Sequence, residues 1–245
     1  MFDRKKYKRL AKRQLKGRYL TAILAIAISG LILALLNAST VSEYLNEDYD
    51  YLPNFAQEIS YLNPIDYNFN FSKEYEKTDF IPLFLTLAIY GILTLSLCHL
   101  FNAYYKTTEK ISFAEYLRGF SLWFKGILAM FWFSLWVFLW SLLFFIPGIV
   151  KGFSYSQMFF ILAENPRIGV LKAMRLSKVM TKGYKADLFV MCLSFLGWEI
   201  LSACTILILQ LWIKPYEIMS FTNAYKDMKI QAIKMGVLTP EDFTR

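Results

Sequence analysis

The first 18 residues carry nine Lys or Arg, and the next 24 carry no charge at all. MFDRKKYKRLAKRQLKGR runs straight into YLTAILAIAISGLILALLNASTVS. A bilayer core about 30 Å thick takes about 20 apolar residues as a helix. Lys and Arg beside a span stay on the cytoplasmic side. The junction therefore predicts a multi-pass protein of the cell membrane with its N-terminus inside. The apolar stretch exceeds the core of a usual signal peptide and more spans follow, which fits an uncleaved anchor.

The distribution of charge extends this reading. The chain of 245 residues is 56% hydrophobic and only 19% charged, with a net charge of +8. Residues 43–79 hold nine acids against two lysines, whereas 106–125, 164–187 and 226–245 are each net positive. Blocks of opposite sign alternating across apolar runs are the pattern of outside and inside loops, not of a nucleic-acid footprint. Residues 43–79 also contain nine Tyr or Phe, more aromatics than a disordered segment usually has. They are expected to form an acidic external loop. Cys98, Cys192 and Cys204 all fall in apolar stretches, where cysteines are packing groups.

Uncharged runs mark spans at 19–42, 80–105 and 126–150, with a fourth at 188–213 interrupted only by Glu199. Two shorter stretches, 149–163 and 215–230, each follow a proline, Pro147 or Pro215. Proline breaks or restarts a helix, so Pro147, Gly148 and Pro215 are expected helix discontinuities. If both stretches return across the bilayer, the basic blocks at 164–187 and 226–245 fall inside. The expected fold is thus an all-α polytopic membrane bundle of six segments with both termini cytoplasmic. Four spans with two interfacial pieces is the alternative.

A repeat supports six segments. Short amphipathic stretches ending in Lys16-Gly17, Lys125-Gly126 and Lys182-Gly183 precede the long spans. The second opens with Ser112 and Glu115 at capping-box spacing, with Phe113, Leu117, Phe120 and Phe124 recurring at helical spacing. The third opens with Asn165 as N-cap and Pro166 at the first helical position. In it Ile168, Leu171 and Met174 dip into the interface while Lys172, Arg175 and Lys178 meet lipid headgroups. Each Gly allows the turn into the membrane. The chain reads as one membrane domain, 1–245. It comprises a basic cytoplasmic helix at 1–18, an external loop at 43–79, membrane hairpins with interfacial helices over 80–230, and a cytoplasmic tail at 231–245.

An ionisable residue inside a membrane is a default candidate for function. Glu199 and Lys151 are the two, read either as an ion- or proton-coupled pair or as a buried structural pair. Lys214 and Glu217 flank Pro215 at a hairpin tip. His99 is the single histidine, expected in a structural hydrogen bond. Gly126, Gly148, Gly152 and Gly197, with Ser194 and Ser202, fit close helix packing. The sequence has no GxSxG, HExxH, P-loop or dinucleotide fingerprint, so no catalytic, metal or cofactor residue is assigned.

Ile146-Pro147-Gly148, Glu164-Asn165-Pro166, Ser177-Lys178, Gly183-Tyr184-Lys185, Ser194-Phe195, Gly197-Trp198 and Pro215-Tyr216 follow one another along the second half of the chain. In these strings, and in Leu15-Lys16-Gly17, the chain resembles the bacterial membrane-protein family called domain of unknown function 975, common in Firmicutes. TILILQ at 205–210 departs from it, in place of a more glycine-rich stretch. More distantly the family is similar to the membrane domain of some glycerophosphodiester phosphodiesterases. The resemblance implies a polytopic helical module and carries over no catalytic residue. The expectation is a non-enzymatic module that organises lipid or partner proteins, its partners being anionic lipid headgroups and a membrane protein or second copy. A small-solute or ion transporter or channel subunit, using Glu199 and Lys151, is the alternative. A lipid-active enzyme ranks below both, because neither basic face offers a carboxylate, His or Cys cluster.

Overall fold

Every regular element among the described residues is helical. The computed structural model describes residues 2–36, 38, 80–205 and 208–244, so the acidic loop at 43–79 lies outside the described residues. The chain divides into two compact units, Met1–Ser29 with Leu87–Arg245, and Gly30–Thr86. The larger unit carries everything that follows.

Helix α1 (Arg4–Leu15) starts at Asp3, whose carboxylate accepts the Lys6 N–H at 3.0 Å and so satisfies an orphan donor of the first turn. Tyr7, Ala11 and Leu15 are buried, a spacing of four that lines one side of a helix. Arg4, Lys5, Lys6, Arg9, Lys12 and Arg13 are exposed. Gly17 then turns the chain with φ of 75°, a conformation that strains any residue with a Cβ, and α2 (Tyr19–Leu36) follows. Gly183 does the same between α8 and α9, at φ 90°.

The second Lys-Gly pair behaves differently. Gly126 lies inside α5 (Trp123–Leu143), where it meets α3 (Phe80–Lys106). A Cβ on Gly91 would fall 2.4 Å from the Gly126 carbonyl oxygen, and one on Gly119 would fall 2.5 Å from the Ser96 Cα. Gly119 ends the short helix α4 (Ala114–Gly119), joined to α5 by one 3₁₀ turn, Phe120–Leu122. Small residues thus let α4 and α5 touch α3 backbone to backbone, as membrane helices pack. Consequently Tyr116 and Gly119 face inward, while Leu117 and Phe124 of the expected apolar face are exposed. The expected capping box is not formed. The Glu115 carboxylate instead accepts from the Arg118 guanidinium at 2.9 Å. Gly148 meets Ser141 closely, but Gly152 and Gly197 have nothing within 4 Å of a built Cβ.

Among the described residues, three helices are long and apolar enough to cross a membrane, Tyr19–Leu36, Pro82–Lys106 and Ala114–Leu143. That count does not support six, and the reasons are local. The stretch after α5 is two helices, α6 (Phe145–Tyr155) and α7 (Met158–Glu164), separated at Ser156-Gln157. The break between α5 and α6 falls at the extended residue Phe144, φ −158° and ψ 145°, not at Pro147 or Gly148. Pro147 sits in the first turn of α6, where its missing N–H has no partner to lose. Residue 215 is likewise no break, since α10 (Gln210–Lys234) runs through Pro215 and carries too many charges for an apolar span. Helix α9 (Lys185–Cys204) has 20 residues, a membrane's length, but includes Lys185, Asp187 and Glu199.

Helix α7 sits at the centre of the larger unit. Met158, Phe159, Phe160, Ile161, Leu162 and Ala163 are all buried, and a helix apolar on every side belongs inside a core. Where α6 gives way to α7, the Ser154 carbonyl accepts from the Ser177 hydroxyl at 2.8 Å and from Thr181 at 3.3 Å. Both hydroxyls come from the region of α8 (Val170–Met180). Asn165 closes α7, and α8 begins at Gly169, four residues later than the expected Asn165-Pro166 start. Helix α10 ends at Gly236, φ 69°. The Gly236 N–H reaches the Ile233 carbonyl and the Val237 N–H the Ala232 carbonyl, each at 3.0 Å, which is the pairing of a Schellman cap. The chain then folds back and buries Leu238 and Phe243.

The α3–α5 contact generates a direct test. Gly91→Ala is expected to destabilise the fold by about 1–3 kcal/mol, since the contacted atom is backbone and cannot swing away. Gly152→Ala is expected to be neutral or to stabilise by up to about 1 kcal/mol. Unfolding of both variants by denaturant in detergent measures the difference.

Candidate functional site

Two charged clusters stand out. The first lies where α9 meets α10. Glu199 pairs with Lys214 at 2.9 Å, Lys214 pairs with Glu217 at 2.8 Å, and the Gln210 amide donates to Glu199 at 2.6 Å. Lys151 is elsewhere, its ammonium 4.0 Å from the Trp140 ring centroid. The structure therefore brings Glu199 to Lys214 and not to Lys151. Proximity along the chain favours this, because α10 begins six residues after the end of α9. Lys8 of α1 approaches the same region. Its ammonium donates to the Ser194 carbonyl at 3.2 Å and sits 3.9 Å from the Phe195 ring centroid. Burial and then the Arg4 charge draw the Lys8 ammonium below its ordinary value, and Glu217 opposes them.

The second cluster closes the buried helix α7. Glu164 takes Lys226 at 3.0 Å and Lys229 at 3.1 Å on the same oxygen, while the Tyr225 hydroxyl donates to the other. Tyr225 stacks on Phe160 at 5.6 Å. Burial opposes ionisation of Glu164. The Lys226 charge, hydrogen bonds from Tyr225 and Lys226, and the Lys229 charge outweigh it and hold the carboxyl at about 2. Lys229 also lies 4.4 Å from the centroid of Phe243, so the folded-back C-terminal segment covers one side of the cluster.

Helix α1 is locked to α10 beside these clusters. The Tyr7 hydroxyl donates to Asp227 at 2.6 Å, and the Asn223 amide donates to Gln14 at 2.9 Å and to the Tyr7 carbonyl at 3.3 Å. Burial and then the bond to Asp227 push the Tyr7 phenol above its usual range. The remaining candidates fall as follows. Arg175 and Lys178 point outward from α8 and Lys172 is half-buried, while Ala173, Met174, Leu176 and Ser177 face the core. Met174 thus packs on protein, and Leu171 is exposed. His99 hydrogen-bonds the Glu115 carbonyl at 3.2 Å. Cys98 is buried, whereas Cys192 is exposed and packs no core. Among the described residues no group of three or more His, Cys, Asp or Glu is placed to hold a metal ion.

Sequence reasoning missed the Glu164 cluster. Its lysines read as part of a basic tail, and Glu164 as one letter of a motif. The available signal was a carboxylate ending a run of apolar residues with Lys226 and Lys229 three apart on a later helix, a spacing that shares one face.

Among the described residues, the all-helical structure with three apolar helices of spanning length supports membrane association. A family model described as protein of unknown function (DUF975) matches residues 142–232, the stretch that runs from the end of α5 into α10 and contains both clusters. No curated protein and no solved structure matches the chain.

Glu164 has a folded pKa below its unfolded one, so its contribution is present above about pH 4.5 and fades as pH falls toward 2. Glu164→Gln leaves the buried Lys226 and the half-buried Lys229 without their carboxylate, and a destabilisation on the order of 3 kcal/mol is expected at pH 7. Denaturation of the two proteins from pH 7 down to pH 3 should show the difference constant above about pH 5 and shrinking below it. A difference independent of pH contradicts the ion-pair role.

Proposed function

We propose that the protein is a non-enzymatic module of the bacterial cytoplasmic membrane that gathers anionic lipid, and with it partner proteins, on its cytoplasmic side. The observation that carries this is the construction of α1. Its Tyr7, Ala11 and Leu15 side is buried while six Lys and Arg are exposed. The basic face is thus a fixed surface rather than a flexible tail. Arg175 and Lys178 on α8 present a second such face. Each basic residue near an anionic leaflet is worth roughly 1 kcal/mol of attraction.

We read the topology as six membrane segments with both termini inside. The alternation of charge supports it, as do the exposed stripes Phe131, Leu135, Phe138 and Leu142 on α5 and Leu193, Leu196 and Ile200 on α9. Contiguous apolar surface of this kind needs lipid or protein over it. The α9 stripe favours α9 as a further span despite Glu199.

A second reading, a small-solute or ion transporter or channel subunit, is favoured by the Glu199–Lys214–Gln210 cluster, with Lys214 in the place first given to Lys151. One experiment separates the two. The chain is purified from membranes and its co-purified lipids are measured by mass spectrometry. Enrichment of anionic over zwitterionic lipid is expected, falling several-fold in a variant with Arg9, Lys12 and Arg13 changed to Gln. Unchanged enrichment, with a proteoliposome flux abolished by Glu199→Gln, would favour the transporter.

A further inference from the structure

Lys226 and Lys229 place two ammonium groups on one oxygen of Glu164, and one carboxylate balances only one of them. Lys106, the last residue of α3, is within electrostatic reach of Lys226. Tyr105 beside it lies under the Lys226 ammonium, 5.4 Å from centroid to Nζ. Two lysines therefore share one glutamate, Lys226 being only 7% exposed, and Lys106 nearby is open to solvent. Unbalanced charge with restricted hydration is unfavourable unless an anion meets it.

A separate observation points to the same place. Asn102 lies one turn before Lys106 on the same side of α3. Its amide donates to the Phe160 carbonyl at 3.2 Å, one turn before Glu164 on α7. Its carboxamide oxygen is buried and has no hydrogen-bond partner among the described residues. A buried acceptor without a donor calls for a ligand group that supplies one. Cations gathered about one glutamate, a helical turn away from a buried acceptor without a donor, suit a phosphate attached to a hydroxyl-bearing group. Ammonium groups bind phosphate as point charges, and a hydroxyl supplies the donor.

We propose that Lys106, Lys226 and Lys229 hold one phosphate group, with Asn102 accepting from a hydroxyl of the molecule that carries it. A glycerol-headgroup phospholipid and a soluble phosphate ester both have this chemistry. The proposal deepens the lipid-gathering reading and rests on it for the lipid source. It also adds a single discrete site that the α1 face does not supply. Glu164 then acts as a positioning residue, since it aims both lysines while leaving their remaining N–H donors free.

The test uses the full chain in detergent, with native mass spectrometry and thermal unfolding as readouts. The probes are phosphatidylglycerol, phosphatidylcholine and inorganic phosphate. The expected result is one phosphatidylglycerol retained per chain with a raised unfolding temperature, and no such effect from phosphatidylcholine. Retention should weaken about tenfold or more in Lys106→Gln with Lys229→Gln, which removes two charge-assisted contacts. Lys229→Arg should keep most of it. Unliganded unfolding temperatures show that each variant is folded. Stabilisation by inorganic phosphate alone, lost in the same double variant, would support the site and assign its ligand to the soluble pool. Equal retention by wild type and the folded double variant, with no phosphate effect, would overturn the proposal. The Arg9, Lys12 and Arg13 variant distinguishes the two failures. If it leaves overall lipid enrichment unchanged while the single phosphatidylglycerol still depends on Lys106 and Lys229, the surface reading fails and the site stands.

Discussion

A seven-residue helix buried on every side imposes the main constraint on this molecule. Helix α7 is too short to satisfy most of its own backbone groups, because the first and last four of any helix lack partners within it. With no water around it, the neighbours must supply them. Ser177 and Thr181 answer the Ser154 carbonyl at the entry to α7, and Asn102 answers the Phe160 carbonyl within it. At the exit, Lys125 answers the Pro166 and Ile168 carbonyls of the following loop. The residues that meet this demand come from α3, the start of α5 and the α8 region, so the burial of α7 fixes what must surround it.

Once α7 is enclosed, its last side chain becomes an electrostatic problem. Glu164 sits where the core ends, and a carboxylate there requires cations. Lys226 and Lys229 supply them from α10, which in turn is held by α1 through Tyr7, Gln14, Asn223 and Asp227. The N-terminal basic helix is thus tied to the buried helix through one intermediate. The cationic surface of α1 and the ion cluster at Glu164 thus share a support in α10.

Much of this was legible in the chain. The Arg18–Tyr19 boundary shows the edge of a membrane helix, because charge and its absence are one-dimensional information. Gly17 and Gly183 announced their turns, since left-handed backbone nearly requires glycine. Gly126 carried two expectations, a turn and close helix packing, and its contact with Gly91 decides for packing. Pro147 and Pro215 misled for a shared reason. Proline is tolerated within the first turn of a helix and can be carried inside one, so its presence does not locate a break. Helix α7 read as half of a crossing because its composition is that of a span, and apolar composition does not separate lipid from protein as the surrounding medium. Glu199 was found by its rarity among apolar neighbours, but its partner depended on how α10 folds back. That information lies in how the two helices pack, not in the hydropathy.

The lipid-gathering reading depends on the basic faces of α1 and α8 and the end of α10 sharing the cytoplasmic side. The most direct measurement introduces cysteine at the exposed positions 178 and 234, one at a time, with Cys98, Cys192 and Cys204 replaced. An impermeant thiol reagent is then applied to intact and to permeabilised cells. Labelling of both positions only after permeabilisation is the predicted result. Labelling of position 178 or 234 in intact cells would put a basic face outside the cell and contradict the proposed topology and the function built on it.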